Sequence, residues 1–171
     1  MRKNKRYSVQ NIALCGLLTA MMLVLGFLET FIPVTPGIPG VKLGLSNGVL
    51  LFALYMLDAP TTFLLMVLKV VLSGLLFGGV SAMMYAMAGG VLSVITMMIL
   101  RKCNFSIIAV SMVGAVMHNV GQVLLAMVIL QTPKLMYYMA VLMLIGLAAG
   151  FVTGIAARAT ISHIKKLRIR K

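Results

Sequence analysis

Long apolar runs, separated by short polar or helix-breaking segments, dominate this chain. An α-helix needs about 20 apolar residues to cross a hydrocarbon core of about 30 Å. Six runs approach or exceed that length, at residues 11–32, 43–57, 61–77, 81–100, 105–130 and 135–160. The pattern predicts an all-α, polytopic membrane bundle of about six transmembrane helices. No polar stretch is long enough for a second domain, so residues 11–160 form one domain between tails at 1–10 and 161–171.

The segments between the runs are rich in residues that end helices. The loop from Pro33 to Lys42 holds three of the five prolines. The run that follows it, 43–57, is short enough to be an incomplete span. The other interruptions are Asp58-Ala59-Pro60, Gly78-Gly79, the segment 101–104 and the segment 131–134.

Composition and charge placement support a membrane protein. The sequence is 62% hydrophobic and only 10% charged, whereas an ordinary soluble domain is about 25% charged. Cytoplasmic loops of membrane proteins carry an excess of Lys and Arg. With the N-terminus inside, twelve of the 15 basic residues fall on the inner side, two fall outside, and Lys69 lies within a span. We therefore expect both termini in the cytoplasm and the first run to be a retained anchor. Nucleic acid is not an expected partner.

The sequence lacks the groups that most enzymes need. The only acidic residues are Glu29 and Asp58, and there are two histidines. Magnesium-dependent diphosphate chemistry uses clustered carboxylates, a zinc site uses three or four ligands, and ATP hydrolysis uses a phosphate-binding loop of the GxxxxGK[ST] type. None of these patterns is present. We predict no catalytic role, no metal and no cofactor, and no disulfide between Cys15 and Cys103.

Polar side chains inside the apolar runs are candidates for a binding site, because ionisable groups are unfavourable in a bilayer. Lys69 lies in the middle of the third run, and His118, Asn119 and Gln122 lie in the middle of the fifth. One interpretation is a ligand pocket in the outer half that these four side chains line, with Glu29 and the proline-rich loop at its mouth. The other is that the amides bond to neighbouring helices, while Lys69 snorkels or pairs with Glu29.

Small residues recur at helical spacing in two runs. Gly146, Gly150 and Gly154 in the sixth run favour close packing inside the bundle. In the first run, Ala13, Gly16 and Ala20 share one face. For that face, packing within the bundle and docking onto another protein are equally open.

Three motifs carry a resemblance to a known family. They are PGIPGVKLGLSN at 36–47, LSGLLFGG at 72–79 and GAVMHNVGQ at 114–122. The chain resembles a bacterial membrane family called heptaprenyl diphosphate synthase component I, also known as the Gx transporter family. The motifs add Lys42 and Asn47 to the candidate binding residues.

The resemblance implies a function and a location. The family is similar to the substrate-binding S components of energy-coupling factor (ECF) importers, which sit in the bacterial cytoplasmic membrane and work with a T component and paired ATPases. On this reading the chain binds a small vitamin-like or precursor molecule under a lid at 33–42 and docks through Ala13, Gly16 and Ala20. The alternative is a noncatalytic membrane subunit that accompanies heptaprenyl diphosphate synthase or quinone precursor metabolism.

Overall fold

The computed structural model describes residues 9–31 and 45–169, and these residues are helical apart from short turns. The all-α prediction is confirmed for this part of the chain. The helices are α1 (Val9–Leu28, followed by a 3-10 turn at Glu29–Phe31), α2 (Leu45–Met56), α3 (Ala59–Ser73, continued by a π-helix at Gly74–Gly78), α4 (Gly79–Lys102), α5 (Ile107–Leu130) and α6 (Leu135–Ile169).

Four segments of the described chain are long and apolar enough to cross a membrane: 11–28, 59–102, 107–130 and 135–164. The second of them folds back on itself. Its direction changes at Gly79, whose φ is 72°, and Gly74 then lies against Met83. Further from the turn Gly90 lies against Met66, so α3 and α4 are antiparallel. A multi-pass membrane bundle is thus confirmed, whereas the count of six spans and their orientation stay predictions.

The short second run forms a short helix. α2 has 12 residues, about 18 Å at a rise of 1.5 Å per residue, which is well below the thickness of a hydrocarbon core. It nevertheless lies at the centre of the bundle, because Leu50, Leu51 and Leu54 are at most 2% exposed. The same buried cluster includes Met22 of α1 and Ile161 of α6.

The last three helices pack closely through small residues, as predicted for the sixth run. A Cβ added to Gly150 would lie 2.7 Å from the Cα of Met112, and one added to Gly154 would lie 2.9 Å from the Cβ of Ser111. Hydrogen bonds join the same helices: Ser93 donates to the Gly114 carbonyl at 2.7 Å. Internal packing of the sixth-run glycines is therefore confirmed.

One boundary differs from the sequence-based expectation. α6 does not end near residue 160 but continues to Ile169, so most of the predicted tail at 161–171 is helical. That segment lacks Gly and Pro, and its run of Lys, Lys, Leu and Arg at 165–168 consists of residue types that favour helix. The predicted lid at 33–42 lies outside the described residues.

We expect Gly150→Ala to destabilise the fold by about 1–3 kcal/mol, because the added methyl group meets backbone atoms that cannot move aside easily. The matched control is Gly16→Ala, where a Cβ meets nothing within 4 Å. Thermal unfolding of both variants in the same detergent measures the difference. Equal melting temperatures would show that the α5 and α6 backbones separate at little cost.

Candidate functional site

Glu29 lies at the amino end of α2. Its side chain is 4% exposed, and its Oε1 accepts a hydrogen bond from the backbone N–H of Leu45, the first residue of α2. The first N–H groups of a helix have no partner within the helix, and the helix dipole favours negative charge there. The carboxylate thus satisfies one N–H of this buried helix end and complements the helix dipole.

Lys69 contacts α2 at Asn47, less than one turn after Leu45. Its Nζ donates to Oδ1 of Asn47 over 3.1 Å, and both side chains are half-buried. The bond joins the middle of α3 to the first turn of α2. Two predicted site residues are therefore in direct contact, close in sequence to the helix end that Glu29 holds.

His118 and Gln122 face α4. A Cβ added to Gly89 of α4 would lie 3.1 Å from Nδ1 of His118 and 2.8 Å from Cγ of Gln122. The same Cβ would lie 2.4 Å from the His118 carbonyl oxygen. The glycine at position 89 lets α4 and α5 approach closely here, because any side chain at that position would displace His118 and Gln122.

Asn119 faces the opposite neighbour. Its Nδ2 donates to the Leu142 carbonyl of α6 at 2.8 Å, and a Cβ on Gly146 would lie 2.8 Å from the same nitrogen. An amide that bonds a backbone carbonyl of the next helix is the interhelical contact expected of polar residues in membranes. Asn119 therefore joins α5 to α6.

The predicted site residues thus form separate contacts around the bundle. Glu29, Asn47 and Lys69 lie around the amino end of α2, while His118 and Gln122 lie at the α4 interface and Asn119 lies at the α6 interface. Ligand binding by any of these side chains stays a prediction. Lys42 lies outside the described residues.

An apolar cleft of about 410 Å³, which the sequence pattern did not predict, lies between α3, α4 and α5. Its lining holds none of the predicted site residues. It consists of Val71, Met83, Met84, Met87, Ala88 and Leu125. Methionine side chains are flexible and polarizable, and they adapt to irregular apolar partners. The signal in the sequence is the cluster of three methionines on one turn of α4, within a chain that contains 16.

Arg101 was expected to mark only the end of the fourth run, but it joins α4 to α2. One of its guanidinium N–H groups donates to the Leu54 carbonyl in the last turn of α2, and its Cζ lies 5.1 Å from the centre of the Tyr55 ring. A cation near the carboxyl end of a helix complements the dipole. α2 is therefore held by an anion at its amino end and by a cation at its carboxyl end.

The small face of α1 is open. Ala13, Gly16 and Ala20 are exposed, and a Cβ on Gly16 would meet no atom within 4 Å. These residues therefore do not pack against the described part of the bundle. Whether the face binds another protein is a separate question.

A family model described as heptaprenyl diphosphate synthase component I matches residues 18–160. The chain belongs to this family. The resemblance carried by the three motifs is therefore confirmed. The matched region begins within α1 and ends within α6, so it includes all the contacts around α2. No curated protein and no solved structure matches the chain.

Substitution of Glu29 tests the hydrogen bond at the amino end of α2. We expect Glu29→Leu to lower stability by about 1–3 kcal/mol, because the Leu45 N–H loses its acceptor in a buried place. Glu29→Gln keeps a side-chain oxygen that can accept the hydrogen bond, so it should lower stability less. Thermal unfolding in detergent measures both variants, and equal losses would mean that the hydrogen bond to Leu45 contributes little.

Proposed function

We propose that the protein is a noncatalytic membrane component that works with a polyprenyl diphosphate synthase. The observation that carries this proposal is the match of residues 18–160 to a family described as component I of heptaprenyl diphosphate synthase. A protein described as one component of a synthase implies a second component that carries the catalytic residues. A membrane component brings that chemistry to the bilayer, where a long prenyl chain is soluble.

The engagement of both carboxylates supports a noncatalytic role. Glu29 accepts a hydrogen bond at the amino end of α2, and Asp58 accepts one from the Thr61 hydroxyl at the start of α3. These are the only acidic residues of the sequence. Prenyl transfer from a magnesium diphosphate needs several carboxylates in one place, and we assign that task to the partner.

The apolar cleft supports a role in handling the prenyl chain. It has a volume of about 410 Å³, and it is a shallow groove open to the surroundings of the bundle, because Met84 in its lining is 45% exposed. Apolar walls with three methionines suit a flexible hydrocarbon, because hydrophobic contact does not require a fixed geometry. We propose that part of the chain of the synthase product occupies this cleft after leaving the soluble enzyme.

We expect the protein, reconstituted in lipid nanodiscs, to bind the soluble catalytic component and to raise its steady-state rate with isoprenoid diphosphate substrates, by accepting the product. Met84→Trp, in the cleft, should reduce this stimulation several-fold. Met136→Trp is the matched control, because Met136 is 63% exposed and lies at the start of α6. Radiolabelled product formation measures the rate, and unchanged stimulation by Met84→Trp would contradict the role of the cleft.

A second candidate function is that of an importer subunit resembling an S component. The observation that favours it is the exposed small face of α1, at Ala13, Gly16 and Ala20. Small residues let another helix approach closely, and a T component would supply that helix. In this case Lys69 and Asn47 would bind a small ligand, and the ATPases of the complex would drive uptake.

If this second function holds, Gly16→Trp should abolish co-purification with a T component and ATP-dependent uptake, because the indole ring blocks close approach. The control is Met21→Trp, since Met21 is 45% exposed and points to another side of α1. Affinity purification from a strain that carries both proteins measures the association. A folded Gly16→Trp variant that still joins the complex would exclude this face as the docking surface.

A further inference from the structure

α6 is longer than a membrane is thick. Its 35 residues extend about 52 Å at 1.5 Å per residue, whereas a bilayer measures about 40–45 Å with its headgroups and about 30 Å without them. Arg158 lies roughly 34 Å along the helix from Leu135. If Leu135 lies at one edge of the hydrocarbon core, the helix from Arg158 onward lies outside the opposite edge.

This last part of α6, residues 158–169, is called here the basic extension. On its inner side Ile161 belongs to the core, because it is only 1% exposed. Ala157, the residue before the extension, is 6% exposed. The outer side of the extension carries Arg158, His163 and Lys166, all of them exposed. The helix thus continues past the spanning part with Ile161 packed in the core on one side and exposed basic side chains on the other.

The positive charge of this region exceeds what the chain itself can neutralise. Residues 158–171 hold six Lys or Arg and no acidic residue. The only two carboxylates of the chain bond at the amino ends of α2 and α3. Concentrated charge of one sign attracts partners of the opposite sign and accelerates their association.

We propose that the basic extension is the docking surface for an acidic face of a soluble partner protein. The partner's identity rests on the proposed function, which makes it the catalytic component of the synthase. A protein fits better than a lipid surface for two reasons. The cations follow one another along an axis that leaves the bilayer, so headgroups reach only the first of them. Ile161 is packed in the core of the bundle, so this part of the helix does not lie flat on the membrane as an interfacial helix would.

The test is the affinity of the purified protein in nanodiscs of neutral lipid for the catalytic component, measured by biolayer interferometry at low and at high salt. We expect R158Q/K166Q to weaken binding at least tenfold at low salt. Raising the ionic strength should weaken binding by the unmodified protein in the same way, because salt screens exposed charges. The control K102Q/K134Q removes the same charge from two other exposed positions and should bind normally.

The outcomes separate this inference from the proposed function. Failure of the unmodified protein to bind the catalytic component would overturn the proposed function and this docking assignment with it. Normal binding by R158Q/K166Q, or an equal loss in K102Q/K134Q, would overturn the docking assignment alone. So would a variant that binds the partner normally but loses co-purifying anionic lipid in native mass spectrometry, since the extension would then be a lipid site. Equal melting temperatures of the two double variants show that a loss of binding is not a loss of fold.

Discussion

The hydrogen bond between Glu29 and the first N–H of α2 is the contact on which the centre of the bundle depends. α2 has 12 residues, so it cannot reach both bilayer surfaces with its own length. Its amino end lies beside Glu29, which is only 4% exposed, so water is scarce there and an unsatisfied N–H would be costly. A buried carboxylate at this point is acceptable because it accepts a hydrogen bond from the Leu45 N–H and meets a favourable helix dipole. The same arrangement explains why an acidic residue is retained within such an apolar chain.

The other contacts of α2 follow from that position. Asn47, in its first turn, comes within 3.1 Å of Lys69, which gives a cation in the middle of α3 a polar neighbour. At the other end, Arg101 bonds the Leu54 carbonyl and fixes α2 to α4. Polar residues thus tie the short helix to its neighbours at both ends, while its leucines fill the core. A change of position at either end of α2 would therefore be transmitted to Lys69 or to Arg101.

Much of the helix pattern could be predicted from the sequence, because residues that interrupt helices act locally. Gly79, Asn104 and Gln131 all have positive φ, and each lies in a segment predicted to interrupt a run. The neighbours of each polar residue could not be predicted. His118, Asn119 and Gln122 are close along α5, yet the first and third face α4 and the second faces α6. Spacing along a helix tells which residues share a face, but which helix packs on that face depends on the whole fold. The length of α6 was underestimated because charge ends an apolar run without ending a helix.

The distribution of charge links the fold to the proposed partner. A chain with 15 basic and two acidic residues has its two acidic side chains at the amino ends of α2 and α3. Its basic residues lie mainly beyond the ends of the apolar runs, where they meet water, headgroups or another protein. The two sides of this end of α6 differ, because Ile161 is buried in the core whereas Arg158, His163 and Lys166 are exposed. Binding at the basic extension would place a soluble enzyme at the end of the bundle that leaves the bilayer, opposite the Gly79 turn. A prenyl chain passed to the cleft would then have to enter through the hydrocarbon core, which is the phase in which such a chain is soluble.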